Sequence, residues 1–237
     1  MRTFVPDSAR APHAGPSSPL GGGEDASFAR ALTQGLDTPL VALRATMESL
    51  SLEVLLGSGP HLQPLRIDGV LREVDRLGKN VRELCELASL PVPRPLACSL
   101  EEIVSAACAA LSPEQRQRVL VARTEPGAAL EVDGPLLSGC LRRLLENALE
   151  ATDDIVLVVA RRARGEVSFS VVDEAPSALG PGWQPVPFRT TKPNHLGLGL
   201  ALTQRDVVLL NGHLEFLSTP GGQTCVRITV QLKEELR

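Results

Sequence analysis

The hydrophobic residues of the amino-terminal third recur at steps of three and four, the pattern of helices with one apolar face. One set covers residues 28–54, and a second, residues 67–88, repeats with alternating steps of three and four, as in a heptad seam. A Gly-Ser-Gly-Pro segment at 57–60 separates the two sets. The pattern predicts an antiparallel helical hairpin, in which Pro39 kinks or loosens the first helix.

A hairpin of two helices covers its own apolar stripes poorly. Pairing with a second copy would bury both stripes in a dimeric four-helix bundle. The alternative is that the two helices pack on the carboxy-terminal part of the same chain. We favour the dimer, because the seam of residues 67–88 is continuous.

The pattern changes after Pro91-Val92-Pro93-Arg94-Pro95, a segment that ends the second helix and marks a domain boundary. Ser99 and Glu102 form a capping-box pattern, and Asp133 precedes another apolar helical stripe. Alternating helices and strands predict a two-layer α/β sandwich. Strands are expected at 119–122, 155–160, 167–172, 213–217 and 225–232, and helices at 99–111, 133–148 and 198–210.

The amino terminus is rich in proline, glycine, serine and alanine and is expected to be disordered. The predicted organisation is a tail over residues 1–25, a dimerisation hairpin over 26–92 and an α/β domain over 97–237. The fold class is therefore α+β: a dimeric antiparallel helical hairpin followed by a two-layer α/β sandwich.

Composition narrows the functional classes. The net charge is −4, aromatic residues make up 3% and tyrosine is absent, so a dominant role in binding nucleic acids is not expected. No apolar run has the length of a membrane helix or a secretory signal. Five cysteines without CxxC spacing argue against zinc and disulfides, favour a cytoplasmic location, and are expected to be small buried residues.

Three segments of the α/β domain carry candidate chemistry. Asn147 lies on a predicted helix, where its amide oxygen could hold hydrated magnesium. Asp173 follows a buried strand, where a carboxylate can accept the amino group of adenine. Gly197 and Gly199 open the next helix, and glycines at a helix start let backbone N–H groups approach a phosphate.

The segments LLENALEAT, VVDEA, PFRTTK and LGLGLALTQ together resemble, in order and spacing, the ATP-binding domain of sensor histidine kinases. That domain belongs to the superfamily of gyrase, Hsp90, histidine kinases and MutL. Upstream, QGLDTPLVAL is similar to the HELxTPLxAI box of the first dimerisation helix. The resemblance implies a magnesium-holding Asn147, an adenine-binding Asp173, lid residues Thr190, Thr191 and Lys192, phosphate-facing Gly197 and Gly199, and a Thr38-Pro39 pair that follows the phosphoacceptor.

The chain departs from the family pattern at its reactive positions. Gln34 stands where the phosphoacceptor histidine is expected, and Gly35 replaces the neighbouring acid. An amide nitrogen is delocalised into its carbonyl group and is no nucleophile. The DxGxG box loses both glycines in Asp173-Glu174-Ala175-Pro176-Ser177, which is expected to crowd the backbone near a nucleotide. His195 replaces the first glycine of GxGLGL.

The resemblance with these departures predicts a homodimeric two-component signalling protein that does not autophosphorylate. It would act by binding a response-regulator receiver domain or a partner histidine kinase. One alternative is a kinase that uses ATP and magnesium to phosphorylate a partner in trans. Another is a receiver phosphatase in which Thr38 positions water.

Overall fold

A computed structural model describes residues 40, 41, 44, 45, 47, 48, 63–122, 129–163, 165–176, 183–192, 195–219 and 221–232. The predicted tail, most of the first helix, and the positions Gln34 and Thr38 lie outside the described residues. The six described residues between 40 and 48 are helical. Within them Arg44 donates to Glu48, one turn later, over 2.8 Å.

The second predicted helix is present as α1, Gln63–Ala88. It ends before the proline-rich segment, as the sequence predicts. Val74 and Val81, both on the predicted seam, remain 46% and 45% exposed. Further along, Leu84 and Leu87 pack against the carboxy-terminal part of the chain. The helix therefore has an open apolar stripe along one part and a docked end along another.

The carboxy-terminal part alternates helices and strands. The capping box of Ser99 and Glu102 is present and begins a helix. The elements are β1 Leu96–Cys98, α2 Leu100–Ala109, α3 Pro113–Gln117, β2 Val119–Val121, β3 Leu130–Val132, α4 Gly134–Ala151, β4 Val156–Ala163, β5 Glu166–Pro176, α5 Gly199–Leu209, β6 Gly212–Ser218 and β7 Gln223–Gln231.

Five strands form the main sheet in the order β2-β4-β5-β7-β6, with β2 parallel to β4 and every other pair antiparallel. β1 and β3 form a separate two-stranded sheet. The helix α4 packs against both α2 and α5, and all three pack on the main sheet. Between the two layers lies a core that includes Leu141 and Leu145 of α4 and Phe169 and Ile228 of the sheet. This is the predicted α/β sandwich.

Several details differ from the sequence prediction. β5 does not end at Val172 but continues through Asp173 to Pro176, with an irregular register where Pro176 faces Gln223. The sequence prediction also missed β1, β3 and α3, because each has five residues or fewer and shows no complete period. Cys85 is exposed rather than buried, because it lies on the open side of α1. Among the described residues, no helix is both long and apolar enough to cross a membrane.

Candidate functional site

Asn147 lies in the second turn from the end of α4. That helix begins at Asp133, whose carboxylate accepts the N–H of Leu136 over 2.8 Å, and it buries one apolar stripe against the sheet. Asn147 borders this stripe and is half-buried. Its side-chain amide faces the start of α5: a Cβ built on Gly199 would lie 3.5 Å from Asn147 Nδ2. Asn147 and the predicted phosphate-facing helix start are therefore neighbours.

The start of α5 is suited to an anion. The helix begins at Gly199, and the preceding Leu198 provides no side-chain cap for its first N–H groups. Gly197 has a φ of +68°, a conformation that favours glycine. A Cβ at Gly197 would also lie 2.8 Å from the carbonyl oxygen of Arg189. The glycine lets the chain turn closely beneath the lid and present the open helix end.

The predicted lid residues lie beside this helix start. Lys192 Nζ donates to Glu150 Oε2 over 2.8 Å and to the carbonyl oxygen of Asn147 over 3.4 Å. Thr190 Oγ1 accepts the N–H of Lys192 over 3.0 Å, and Thr191 is exposed. Lys192 thus connects the lid to the carboxy-terminal end of α4 through these two hydrogen bonds.

The base of the lid is held by a small hydrophobic cluster. Phe188, at a φ of +63°, packs against buried leucines that flank the start of α5. Leu84 and Leu87 of α1 pack on the same cluster. The lid and the carboxy-terminal end of α1 therefore pack against the same cluster of buried leucines. The buried members are Leu196, Leu198 and Leu202.

Asp173 is 5% exposed on β5. Its Oδ1 accepts the N–H of Ala175 over 2.9 Å. Burial raises the pKa of the Asp173 carboxyl above its usual value, although the Ala175 N–H and the charge of Lys192 oppose this rise. The added strand length beyond Asp173 is fixed by Thr224 Oγ1, which donates to the Ala175 carbonyl oxygen over 2.9 Å. A paired strand thus stands where the family pattern has glycines.

The sequence analysis missed Glu150, one helical turn after Asn147. Glu150 binds Lys192 through Oε2 and Lys79 of α1 through Oε1, at 2.8 and 3.1 Å, and His195 Nδ1 lies 3.9 Å away. Burial alone would raise the pKa of Glu150. The hydrogen bond from Lys192 and the charges of Lys79, Lys192 and His195 instead hold that pKa below its usual value. The position, at the exposed end of a helix, gave no sequence signal.

A second missed group joins α4, α5 and α1. Arg143 and Asp206, 8% and 0% exposed, pair over 2.8 Å, and Arg143 also contacts Glu86 of α1 over 3.1 Å. Arg205 pairs with Asp206 and donates to the carbonyl oxygens of Glu86 and Ser89, at the end of α1. The sequence did contain a signal for this group: Arg143 is a charged residue on an otherwise apolar helix face, among Cys140, Leu141 and Leu144.

A cleft with a cavity of about 80 Å³ separates α1 from α4. It lies beside the candidate site and is lined by alternating charges. Burial raises the pKa of Glu83 there, against the opposing charge of Lys79. The lining residues are Lys79, Arg82, Glu83, Glu86, Arg142, Arg143 and Glu146.

The structure therefore brings Asn147, Lys192, Gly197 and Gly199 together, with Asp173 on the adjacent strand. Asn147 supplies an amide oxygen, a hard ligand that suits magnesium coordinated mainly by water and phosphate. The described residues contain no cluster of three or more His, Cys, Asp or Glu side chains able to hold a metal ion. Any magnesium here would therefore depend on nucleotide oxygens in addition to Asn147.

A family model described as histidine kinase-, DNA gyrase B-, and HSP90-like ATPase matches residues 132–234. Sensor protein KdpD of Escherichia coli is 29% identical over 211 residues, covering 84% of this chain and 24% of KdpD. The chain spans about a quarter to a third of the length of the curated relatives that it matches.

Two solved structures share the fold. Histidine kinase ThkA, in complex with response regulator protein TrrA, has a TM-score of 0.68 at 18% identity, covering 91% of this chain and 63% of that one. Full-length ShkA in complex with AMPPNP has a TM-score of 0.59 at 17% identity, covering 87% and 46%. The match of the ATPase model over residues 132–234 and the sequence similarity to sensor kinases over most of the chain agree with the site geometry: the chain contains a domain similar to the histidine kinase ATPase and is similar to sensor histidine kinases over most of its length.

Proposed function

We propose that the chain binds ATP between α4, β5, the lid and α5. The observation that carries this proposal is the uncapped start of α5, which faces the side chain of Asn147, while Lys192 donates to the carbonyl oxygen of the same Asn147. The helix end and the lysine would bind the phosphates, and Asp173 would accept the amino group of adenine. Magnesium supplies charge neutralisation on the phosphates when bound, and Asn147 would hold it.

We further propose a signalling role without autophosphorylation. Residues 26–92 would form the dimerisation hairpin and 97–237 the nucleotide-binding domain of a homodimer. Gln34 would leave the bundle without a phosphoacceptor, because a carboxamide is no nucleophile toward a phosphoryl group. The half-exposed seam of Val74 and Val81 supports a helical partner along α1. The chain would act by binding a receiver domain or a partner histidine kinase.

Calorimetric titration with ATP and magnesium tests the nucleotide site. Asp173→Asn should weaken ATP binding about 10- to 100-fold, because the new amide N–H₂ would face the adenine amino group and leave donors unpaired. The variant keeps an oxygen for the Ala175 N–H, so folding should be retained.

Glu174→Gln is the matched control. It removes the same charge from the next residue of β5, whose side chain contacts Gln223 instead. Its ATP affinity should stay within about twofold of the original chain, as expected for a surface change. Equal losses in both variants would contradict the role of Asp173, and the absence of heat with millimolar ATP would contradict the nucleotide site.

Incubation with γ-labelled ATP and magnesium tests the missing phosphoacceptor. The chain should carry no acid-labile phosphate, whereas Gln34→His restores an imidazole nitrogen at the expected position and should gain label if the rest of the site is competent. Labelling of the original chain would contradict the proposal.

Phosphorylation of a partner in trans is the second candidate function. The retention of Asn147, Lys192 and the open helix end favours it, because a purely scaffolding protein would not need them. Mixing the chain with a catalytically dead histidine kinase and labelled ATP distinguishes the two functions. Label on the partner supports transfer in trans, and its absence supports docking alone.

A further inference from the structure

Glu150 places a negative charge beside the proposed phosphate site. It lies one turn beyond Asn147 on α4, and its two carboxylate oxygens bind Lys192 and Lys79 separately. Its side chain is 26% exposed, so the ion pairs are partly shielded from water. A phosphate tail at the start of α5 would approach the same lysine. The carboxylate and the phosphate are thus two anions that would compete for Lys192.

We propose that Glu150 is an internal competitor of the phosphate tail, which holds Lys192 in the free protein and lowers the affinity for ATP. This inference rests on the proposed nucleotide site. When ATP binds, Lys192 Nζ leaves Glu150 Oε2 for a phosphate oxygen. Glu150 keeps its second partner, because Lys79 approaches the other carboxylate oxygen. Glu150 is therefore a residue that sets affinity and positions the lid, not one that takes part in chemistry.

The paired contact also links the lid to α1. Lys79 lies on α1 and Lys192 on the lid, and each is within hydrogen-bond distance of Glu150. Once Lys192 has left, the negative charge of Glu150 would no longer be shared between two lysines and would attract Lys79 alone. Nucleotide binding would therefore tighten the pairing of α4 with α1 while it transfers Lys192 of the lid from Glu150 to the phosphates. Only the carboxylate can couple these two contacts, because a carboxamide would lose the charge.

Glu150→Gln tests the competition by calorimetry on the full chain. The variant should bind ATP with magnesium about three- to tenfold more tightly, because Lys192 no longer has an anionic partner and the phosphates meet one negative charge fewer. Adenosine, which has no phosphate, should bind both chains equally. In a Lys192→Met background, Glu150→Gln should lose most of its effect.

Glu146→Gln is the matched control. Glu146 lies one turn earlier on α4 and binds Lys79 over 3.3 Å, but its ion pairs are with Lys79 and Arg142 and not with Lys192. It removes the same charge and one of the same contacts to α1, and its ATP affinity should change less than twofold.

The outcomes separate the two proposals. If ATP binds the original chain, Glu150→Gln and Glu146→Gln equally well, the competition is wrong and the nucleotide site stands. If Glu150→Gln tightens adenosine as much as ATP, the effect does not involve phosphate and the competition is again wrong. If neither the original chain nor the variants bind ATP, the proposal of a nucleotide site is wrong, and the proposed competition, which depends on it, is wrong as well.

Discussion

Asp206→Ala is expected to lower the free energy of unfolding by about 3–5 kcal/mol, the largest effect among the substitutions proposed here. Asp206 is fully buried and pairs with Arg143 and Arg205 at 2.8 Å. Its removal would leave the buried Arg143 guanidinium with Glu86 as its remaining anionic partner, at the edge of the cleft. The cost arises because two guanidinium groups lose their shared buried anion in a low-dielectric interior, which exceeds the loss of a single surface contact.

Urea unfolding followed by circular dichroism measures this effect. Glu86→Ala is the matched control, because it removes the other carboxylate that binds Arg143. The Glu86 side chain is 38% exposed, so its pair is screened by water and should contribute about 0–1 kcal/mol. A loss below about 1 kcal/mol for Asp206→Ala would show that water reaches Arg143 and that the pair is not structural.

Gly197→Ala should destabilise the fold by about 2–4 kcal/mol. The left-handed backbone alone costs a non-glycine residue about 1–3 kcal/mol. In addition, the new Cβ would lie within 3.0 Å of three backbone atoms of Arg189, which cannot rotate away as a side-chain tip can. The substitution would therefore push the lid from the start of α5.

Gly222→Ala separates the two causes of that loss. Gly222 has a φ of +82°, but a Cβ there meets no described atom within 4 Å. It should show the backbone cost alone, about 1–2 kcal/mol. Thermal unfolding of both variants gives the comparison. Equal destabilisation would show that the lid yields at Arg189 and that Gly197 is needed only for its dihedral angles.

The Asp206 and Glu86 substitutions probe the joint between α1 and the ATPase domain. Arg205 donates to the carbonyl oxygens of Glu86, in the last turn of α1, and of Ser89, the first residue after that helix. Arg143 and Lys79 add ion pairs across the same joint, and Leu84 and Leu87 add apolar contact. Because the lid packs on the same leucine cluster, a movement of α1 would be felt at the lid.

Local rules were sufficient for most helices and strands. Ser99 with Glu102, and Asp133 before its apolar stripe, begin helices because their side chains satisfy N–H groups a few residues away. The strand end at Asp173 was predicted wrongly. The pairing that carries β5 on to Pro176 comes from β7, about fifty residues later, through Thr224 and Gln223. Such pairing leaves no local pattern.

The amino-acid sequence alone determined the order of the longer helices and strands, the domain that binds nucleotide in the family, and the identity of Asn147, Asp173, Lys192 and the two glycines as candidates. Hydrophobic periodicity, capping and motif spacing are properties of neighbouring residues. Only the tertiary structure decided that Glu150 meets both Lys79 and Lys192, and that Arg143 and Asp206 share a buried pair. These partners are 42 to 71 residues apart along the chain, so their charges interact only once the helices have packed.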